Sequence, residues 1–174
     1  MSSDSSVKLK QIELLILDVD GVLTDGSIVY SDSGEELKTF NAKDGLGLRL
    51  LQDAGIMVSI VTGRRSEALA HRCTNLGISL LYQGVDDKAA ALSTILKQTG
   101  VTADNTAAMG DDLPDLALLK HIGCAIAVAD ADEIVRNHAD LVTVAKGGAG
   151  AVREVCEGIL KAQGHWETIL EKWL

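Results

Sequence analysis

The stretch LLILDVDGVLTDG, Leu14 to Gly26, begins as a strand and ends in acid, with Asp18, Asp20 and Asp25 falling within eight residues. Four consecutive aliphatic side chains suit a strand covered on both faces, as in a parallel sheet. Carboxylates crowded at its end repel one another and lose hydration, and they persist where a cation or another positive charge compensates them. Something positive is expected at this strand end.

Outward from that stretch, short apolar runs alternate with helical patterns, and Gly or Asp stands at most junctions, the mark of βα units. Candidate strands are Leu14–Leu17, Met57–Val61, Leu80–Tyr82, Thr106–Met109, Cys124–Val128 and Leu141–Val144. Candidate helices are Gly45–Ala54, with Leu46, Leu50 and Leu51 on one face, Glu67–Leu76, Lys88–Thr99 and Ala149–Gln163. The first three stop at Gly55, Gly77 and Gly100, suited to close a helix. Residues 26–40 break the rhythm: apolar side chains alternate around the turn chemistry of Ser31–Gly34, which predicts a β-hairpin inserted after strand 1. The expected fold is α/β, a Rossmann-like doubly wound parallel sheet. One domain over residues 1–174 is expected, with no linker and no internal repeat. Its last segment, 164–174, carries Trp166 and Trp173 and is too apolar to dangle, so it docks on its own body or on a neighbouring subunit.

Composition excludes several classes. The chain has 174 residues, enough for one core, and 25 acidic against 16 basic side chains give a net charge of −9. Nucleic acid and anionic membrane are therefore poor partners. An anionic ligand needs local positive charge. No apolar run approaches the roughly 20 residues of a bilayer span, and Met1–Ser6 lacks the pattern of an export signal, so a cytoplasmic location is expected. Cys73, Cys124 and Cys156 are odd in number and widely spaced, which suits reduced buried thiols. His71, His121, His138 and His165 share no ligand spacing.

Right-handed crossovers put the strand ends on one side, and in open parallel sheets ligands bind along that edge. Read in order, those ends carry Asp18 and Asp20, then Thr62, Gly63 and Arg64, then Lys88, then Gly110, Asp111, Asp112 and Asp115. Acids with backbone oxygens suit a hard cation such as Mg²⁺ rather than zinc. Thr62, Lys88 and glycine-rich backbone can donate hydrogen bonds to a phosphate. Residues two apart in extended backbone share a face, so the carboxylates of Asp18 and Asp20 can point the same way. Asp25 is read as a strand end or hairpin start, and Asp53, Asp86, Asp87 and Asp104 as caps or turns.

In this order the residues resemble the haloacid dehalogenase superfamily of phosphohydrolases: DVDGVLTD looks like its first motif, VTGR its second, Lys88 its third and GDDLPD its fourth. The resemblance implies that Asp18 attacks phosphorus, that Asp20 serves as acid and then base, and that Asp18, Asp111 and the backbone carbonyl of Asp20 hold Mg²⁺. It implies that Thr62 binds a phosphoryl oxygen, that Lys88 steadies nucleophile and phosphate, and that Asp112 and Asp115 brace the site. No interval between the motifs is long enough for a cap domain. GEELKTFNAKDGLG, HRCTNLGI and KGGAGAVREVCEGILKAQG are similar to the capless group of 3-deoxy-D-manno-octulosonate 8-phosphate phosphatases. That similarity implies a homotetramer with hairpins at its centre and a sugar-acid phosphate substrate from lipopolysaccharide biosynthesis. Gly63, Arg64 and Arg72 become candidates for gripping the substrate, with Lys43, Asp44 and the 147–150 loop as weaker candidates near an interface. Related enzymes act on nonulosonate 9-phosphates, which the motifs do not separate. Arg65 and the tail GHWETILEKWL depart from the group's pattern.

Other classes fit less well. A response-regulator receiver carries its acceptor Asp on a middle strand, where this chain has Thr62. A calcium loop would need its glycine two positions later and Glu in place of Val29. A scaffold without activity would not need every reactive position filled.

Overall fold

The computed structural model describes residues 7–172 and 174. Six parallel strands form the main sheet: β1 (Leu14–Leu17), β4 (Met57–Thr62), β5 (Leu80–Gln83), β6 (Thr106–Gly110), β7 (Cys124–Ala127) and β8 (Leu141–Val142), in the order β5-β4-β1-β6-β7-β8. β1 is central, paired with β4 from Leu14↔Met57 to Leu17↔Ile60 and with β6 from Leu14↔Thr106 to Leu17↔Met109. With neighbours on both edges and cover on both faces, all four of its side chains are fully buried. Each predicted strand is present within one or two residues, the shortest being β8.

The helices are α1 (Ala42–Asp53), α2 (Glu67–Leu76), α3 (Lys88–Thr99), α4 (Leu116–Leu119), α5 (Glu133–His138), α6 (Ala151–Ala162) and α7 (Trp166–Glu171). The strand order runs outward from β1 through β4 to β5, then back across to β6, β7 and β8. With right-handed crossovers, α1 and α2 cover one face and α3, α4 and α5 the other. That is the doubly wound α/β arrangement. Asn41, Ser66 and Asp87 accept backbone N–H groups at helix starts, and Gly77 and Gly100 take left-handed conformations at two ends.

The buried face of α1 differs from expectation. Leu46 is exposed, while Asp44, Gly47, Leu48 and Leu51 form the inward stripe. A Cβ on Gly47 would lie 3.1 Å from the Cβ of Cys156, so glycine sets the close approach of α1 to α6. A count of apolar side chains does not see glycine as a packing residue.

The inserted hairpin pairs β2 (Val29–Tyr30) with β3 (Glu36–Leu37), in register Val29↔Leu37 and Tyr30↔Glu36. Among the described residues no cap domain covers the sheet: β1 leads to β4 through the hairpin and α1, and β4 leads to α3 through α2 and β5 alone. The tail turns back onto its own body through Trp166, whose ring lies under Lys161 at 4.9 Å and Arg153 at 5.7 Å. Trp173 lies outside the described residues. Cys73, Cys124 and Cys156 are free thiols, all buried. No helix is long and apolar enough to cross a membrane among the described residues.

Candidate active site

The C-terminal ends of β1, β4 and β6 and the start of α3 line a crevice of about 670 Å³. Its walls include Asp18, Asp20, Thr62, Gly63, Arg64, Lys88, Asp111, Asp112 and Asp115. The volume is in the range of small-ligand sites.

Lys88, on the first turn of α3, is buried between two carboxylates, with Nζ 2.6 Å from Oδ1 of Asp18 and 2.5 Å from Oδ1 of Asp115. Burial works against its charge, yet Asp18 and Asp115 outweigh that and hold the ammonium above its usual range. Asp115 reaches back with its other oxygen to the N–H groups of Asp111, at 2.9 Å, and Asp112, at 3.3 Å. Its place is fixed by the turn that follows β6, where Asp112 caps the short 3₁₀ segment Leu113–Asp115 and Pro114 lies near the start. A Cβ on Gly110 would stand 2.4 Å from that of Asp115, which explains glycine there.

Asp18 is raised to about 6 by burial and by the charge of Asp115, against the pull of Lys88. Asp111 is raised to about 7 by burial, then by Asp115, Asp18 and Asp112. These two acids lack a full counter-charge. Carboxylate oxygens of Asp18, Asp111 and Asp115 lie within 4.8 Å of one another. Both oxygens of Asp115 are already engaged, which leaves Asp18 and Asp111 to meet a cation. Gly21 brings backbone against the second of these, since a Cβ there would fall 2.1 Å from Oδ2 of Asp111. An all-oxygen set of this kind fits Mg²⁺.

Asp20 stands at the mouth, where the hairpin meets it. Lys38 Nζ binds its Oδ1 and lies 3.0 Å from Oε1 of Glu36. Arg64 donates to Oε2 of Glu36 at 2.6 Å and to the Tyr30 hydroxyl at 3.0 Å, with its Nε 3.8 Å from Oδ2 of Asp20. Hydrogen bonds from Arg64 and Lys38 hold the Glu36 carboxyl below its usual range. Sequence reasoning missed Tyr30, Glu36 and Lys38. A signal existed in the alternation of the hairpin: Glu36 and Lys38 share a face, and Tyr30 sits opposite Glu36.

Three expected substrate contacts lie elsewhere. Arg72 is on α2, donating to the Asn41 carbonyl at 3.2 Å and stacking 5.8 Å from the Phe40 ring centre, away from the crevice. Lys43 is exposed on the first turn of α1. Asp44 is buried under α6 and accepts the Arg153 N–H at 2.8 Å, so it caps that helix. Burial raises its pKa. The 147–150 loop packs behind the acids instead of outward: the Gly148 N–H donates to the Val22 carbonyl at 3.0 Å, and a Cβ on Gly147 would collide with the Gly21 carbonyl oxygen at 1.7 Å. Asp25 is exposed and accepts the Ser27 N–H at 3.0 Å, the turn role expected of it. Arg65 is exposed and does not line the crevice.

The family model for haloacid dehalogenase-like hydrolases matches residues 79–154, the part that carries Lys88 and the Asp111–Asp115 turn. The doubly wound sheet and the acids at its edge are accordingly those of a hydrolase of this class. Across most of its length the chain is 47% identical to the 3-deoxy-D-manno-octulosonate 8-phosphate phosphatase KdsC of Escherichia coli K12, over 94% of this chain and 87% of that one. The crystal structure of the 3-deoxy-D-manno-octulosonate 8-phosphate phosphatase from Moraxella catarrhalis, in complex with magnesium ion, phosphate ion and KDO, superposes with a TM-score of 0.97 at 42% identity, covering 100% of both chains. The cobalt-bound enzyme from Haemophilus influenzae gives 0.88 at 46% identity, covering 90% of this chain and 92% of that one. The chain belongs to the 3-deoxy-D-manno-octulosonate 8-phosphate phosphatase family.

Proposed function

We propose that this hydrolase cleaves 3-deoxy-D-manno-octulosonate 8-phosphate to the free sugar acid and inorganic phosphate, a step in lipopolysaccharide synthesis, and that Asp18 is its nucleophile. The observation that carries the reading is the clamp on Asp18: one oxygen is fixed by Lys88 at 2.6 Å, and the residue stands at the crevice floor across from Asp111. Held this way, an Asp18 oxygen attacks phosphorus and forms the aspartyl-phosphate as the ester P–O bond breaks. Asp20 gives its proton to the departing sugar oxygen. It then takes a proton from water, whose oxygen attacks phosphorus and returns Asp18 to a carboxylate. Thr62 and Lys88 hold phosphoryl oxygens, and Asp115 keeps Lys88 in place.

Asp18, Asp111 and the backbone carbonyl of Asp20 would hold Mg²⁺, which when bound offsets the repulsion between carboxylate and phosphate. Arg64 lines the mouth, and its guanidinium, held by Glu36 and Tyr30, is the group to meet the substrate carboxylate. The protein assembles as a homo-oligomer, read as a tetramer. Support comes from the cross-strand pair Val29 and Leu37, which are apolar, 49% and 56% exposed, and on the hairpin face away from Glu36. Three free, buried thiols suit a reducing, cytoplasmic setting.

The test is phosphate release from octulosonate 8-phosphate, nonulosonate 9-phosphates and simple phosphate esters, with and without Mg²⁺. The expected result is Mg²⁺-dependent turnover with the octulosonate ester preferred. Equal slow rates on every ester would overturn the substrate, and rates indifferent to Mg²⁺ would overturn the mechanism.

A further inference from the structure

We infer that Lys38 is a positioning residue for Asp20, through which the hairpin aims the proton donor at the leaving oxygen. The inference rests on the acid role of Asp20 proposed above. Lys38 has a lysine side chain only 3% exposed, and its ammonium meets Oδ1 of Asp20 and Oε1 of Glu36. It does not line the crevice, so it reaches the substrate only through another group. Arg64 closes the circuit from Glu36 back toward Asp20. Two carboxylates and two cations thus form a closed ring carried by three separate segments: the loop after β1, the loop after β4 and the hairpin.

The ring has a geometric consequence. Asp20 follows the last residue of β1 by three positions and lies past the sheet's hydrogen bonds, on a loop whose Gly21 has a left-handed φ of +99°. No strand pairing fixes its carboxyl rotation. Lys38 does so by a charge-assisted bond to one oxygen, and the other, Oδ2, is buried without a hydrogen-bond partner among the described residues. Oδ2 faces the Arg64 Nε at 3.8 Å without a hydrogen bond to it, so it is the oxygen whose proton is not already committed to a partner. Asp18 is oriented from the opposite side by Lys88. Nucleophile and acid, two residues apart, are each steered by one buried lysine, and the two lysines come from different parts of the chain.

A lysine acting this way matters in proportion to how much the leaving group needs a proton. A series of substituted phenyl phosphates, alike in shape but graded in phenol basicity, makes no sugar contacts and isolates that need. For Lys38→Met, kcat/KM should fall modestly for p-nitrophenyl phosphate and by about tenfold or more for unsubstituted phenyl phosphate, a part of the roughly 10²–10⁴-fold ascribed to a general acid. Lys38→Arg should recover most of the loss. If Lys38→Met does not fold, as circular dichroism would show, Lys38→Gln against Lys38→Arg gives the same comparison. An equal fall across the series, or none, overturns the inference. Asp20→Ala is measured alongside: if it too leaves the slope against leaving-group basicity unchanged, the acid assignment itself has failed. A steeper slope for Asp20→Ala alone rejects only Lys38.

Discussion

Asp18 is the smallest unit on which the chemistry can be tested. Asp18→Asn removes the attacking charge at nearly constant volume, and turnover should fall by several orders of magnitude while circular dichroism stays that of the wild type. Wild-type rates would exclude Asp18 as nucleophile. The same acids set a pH dependence. Folded Asp18 and Asp111 titrate near 6 and 7, above the ordinary 3.8 that applies unfolded. The folded state therefore binds protons more tightly, and the stability this brings to metal-free protein is fully present below about 3.8 and lost as pH rises through 6 and 7. Mg²⁺ relieves that loss, so thermal melts at pH 7.5 should shift up by several degrees on adding Mg²⁺, with little shift at pH 5. A shift independent of pH would show that the ion binds elsewhere. That Asp18, Asp20, Thr62, Lys88 and Asp111 line one crevice was legible in the sequence, because all lie at or past the C-terminal ends of strands, and parallel strands end on one edge. Lys38 was not, because which face of a short inserted hairpin looks inward depends on how it folds over β1 and β4.

Helices show where pattern reading reaches its limit. α2 and α3 match their predicted bounds because a polar cap and a closing glycine mark both ends. α4, α5 and α7 have four to six residues, too few for a period of 3.6 to show. Asp44 is the instructive case: the family resemblance made it a weaker candidate for a contact near an interface, but the tight packing permitted by Gly47 turns it under the start of α6. An N-capping role accounts for its burial. Asp44→Ala should lower stability by about 1–2 kcal/mol through the lost cap, seen as a few degrees in a thermal melt. Asp44→Asn should melt near the wild type, since an amide oxygen still accepts the Arg153 N–H and no buried charge remains. Both should keep wild-type KM; a raised KM at unchanged stability would return Asp44 to the substrate.

At the scale of the whole molecule, the crevice is open because no cap covers it, and the hairpin is the element that joins it to the surface. One hairpin face carries Tyr30, Glu36 and Lys38 toward Asp20 and Arg64; the other carries Val29 and Leu37 outward. A two-stranded ribbon with two residues in each strand has little stability of its own. Its inner face is ionic and its outer face apolar, so covering Val29 and Leu37 with another copy would hold the ribbon, and with it Lys38, in place. Assembly and acid placement are then linked through one element. Val29→Glu puts a charge at the centre of that outer face without touching the inner one. It should shift the protein to smaller species in sedimentation velocity and lower turnover on phenyl phosphate more than on p-nitrophenyl phosphate, the same signature expected of Lys38→Met. If the variant sediments as the wild type does, the hairpin is not the contact between copies. If it dissociates with both rates unchanged, the hairpin keeps its place unaided, and the acid is aimed within a single chain.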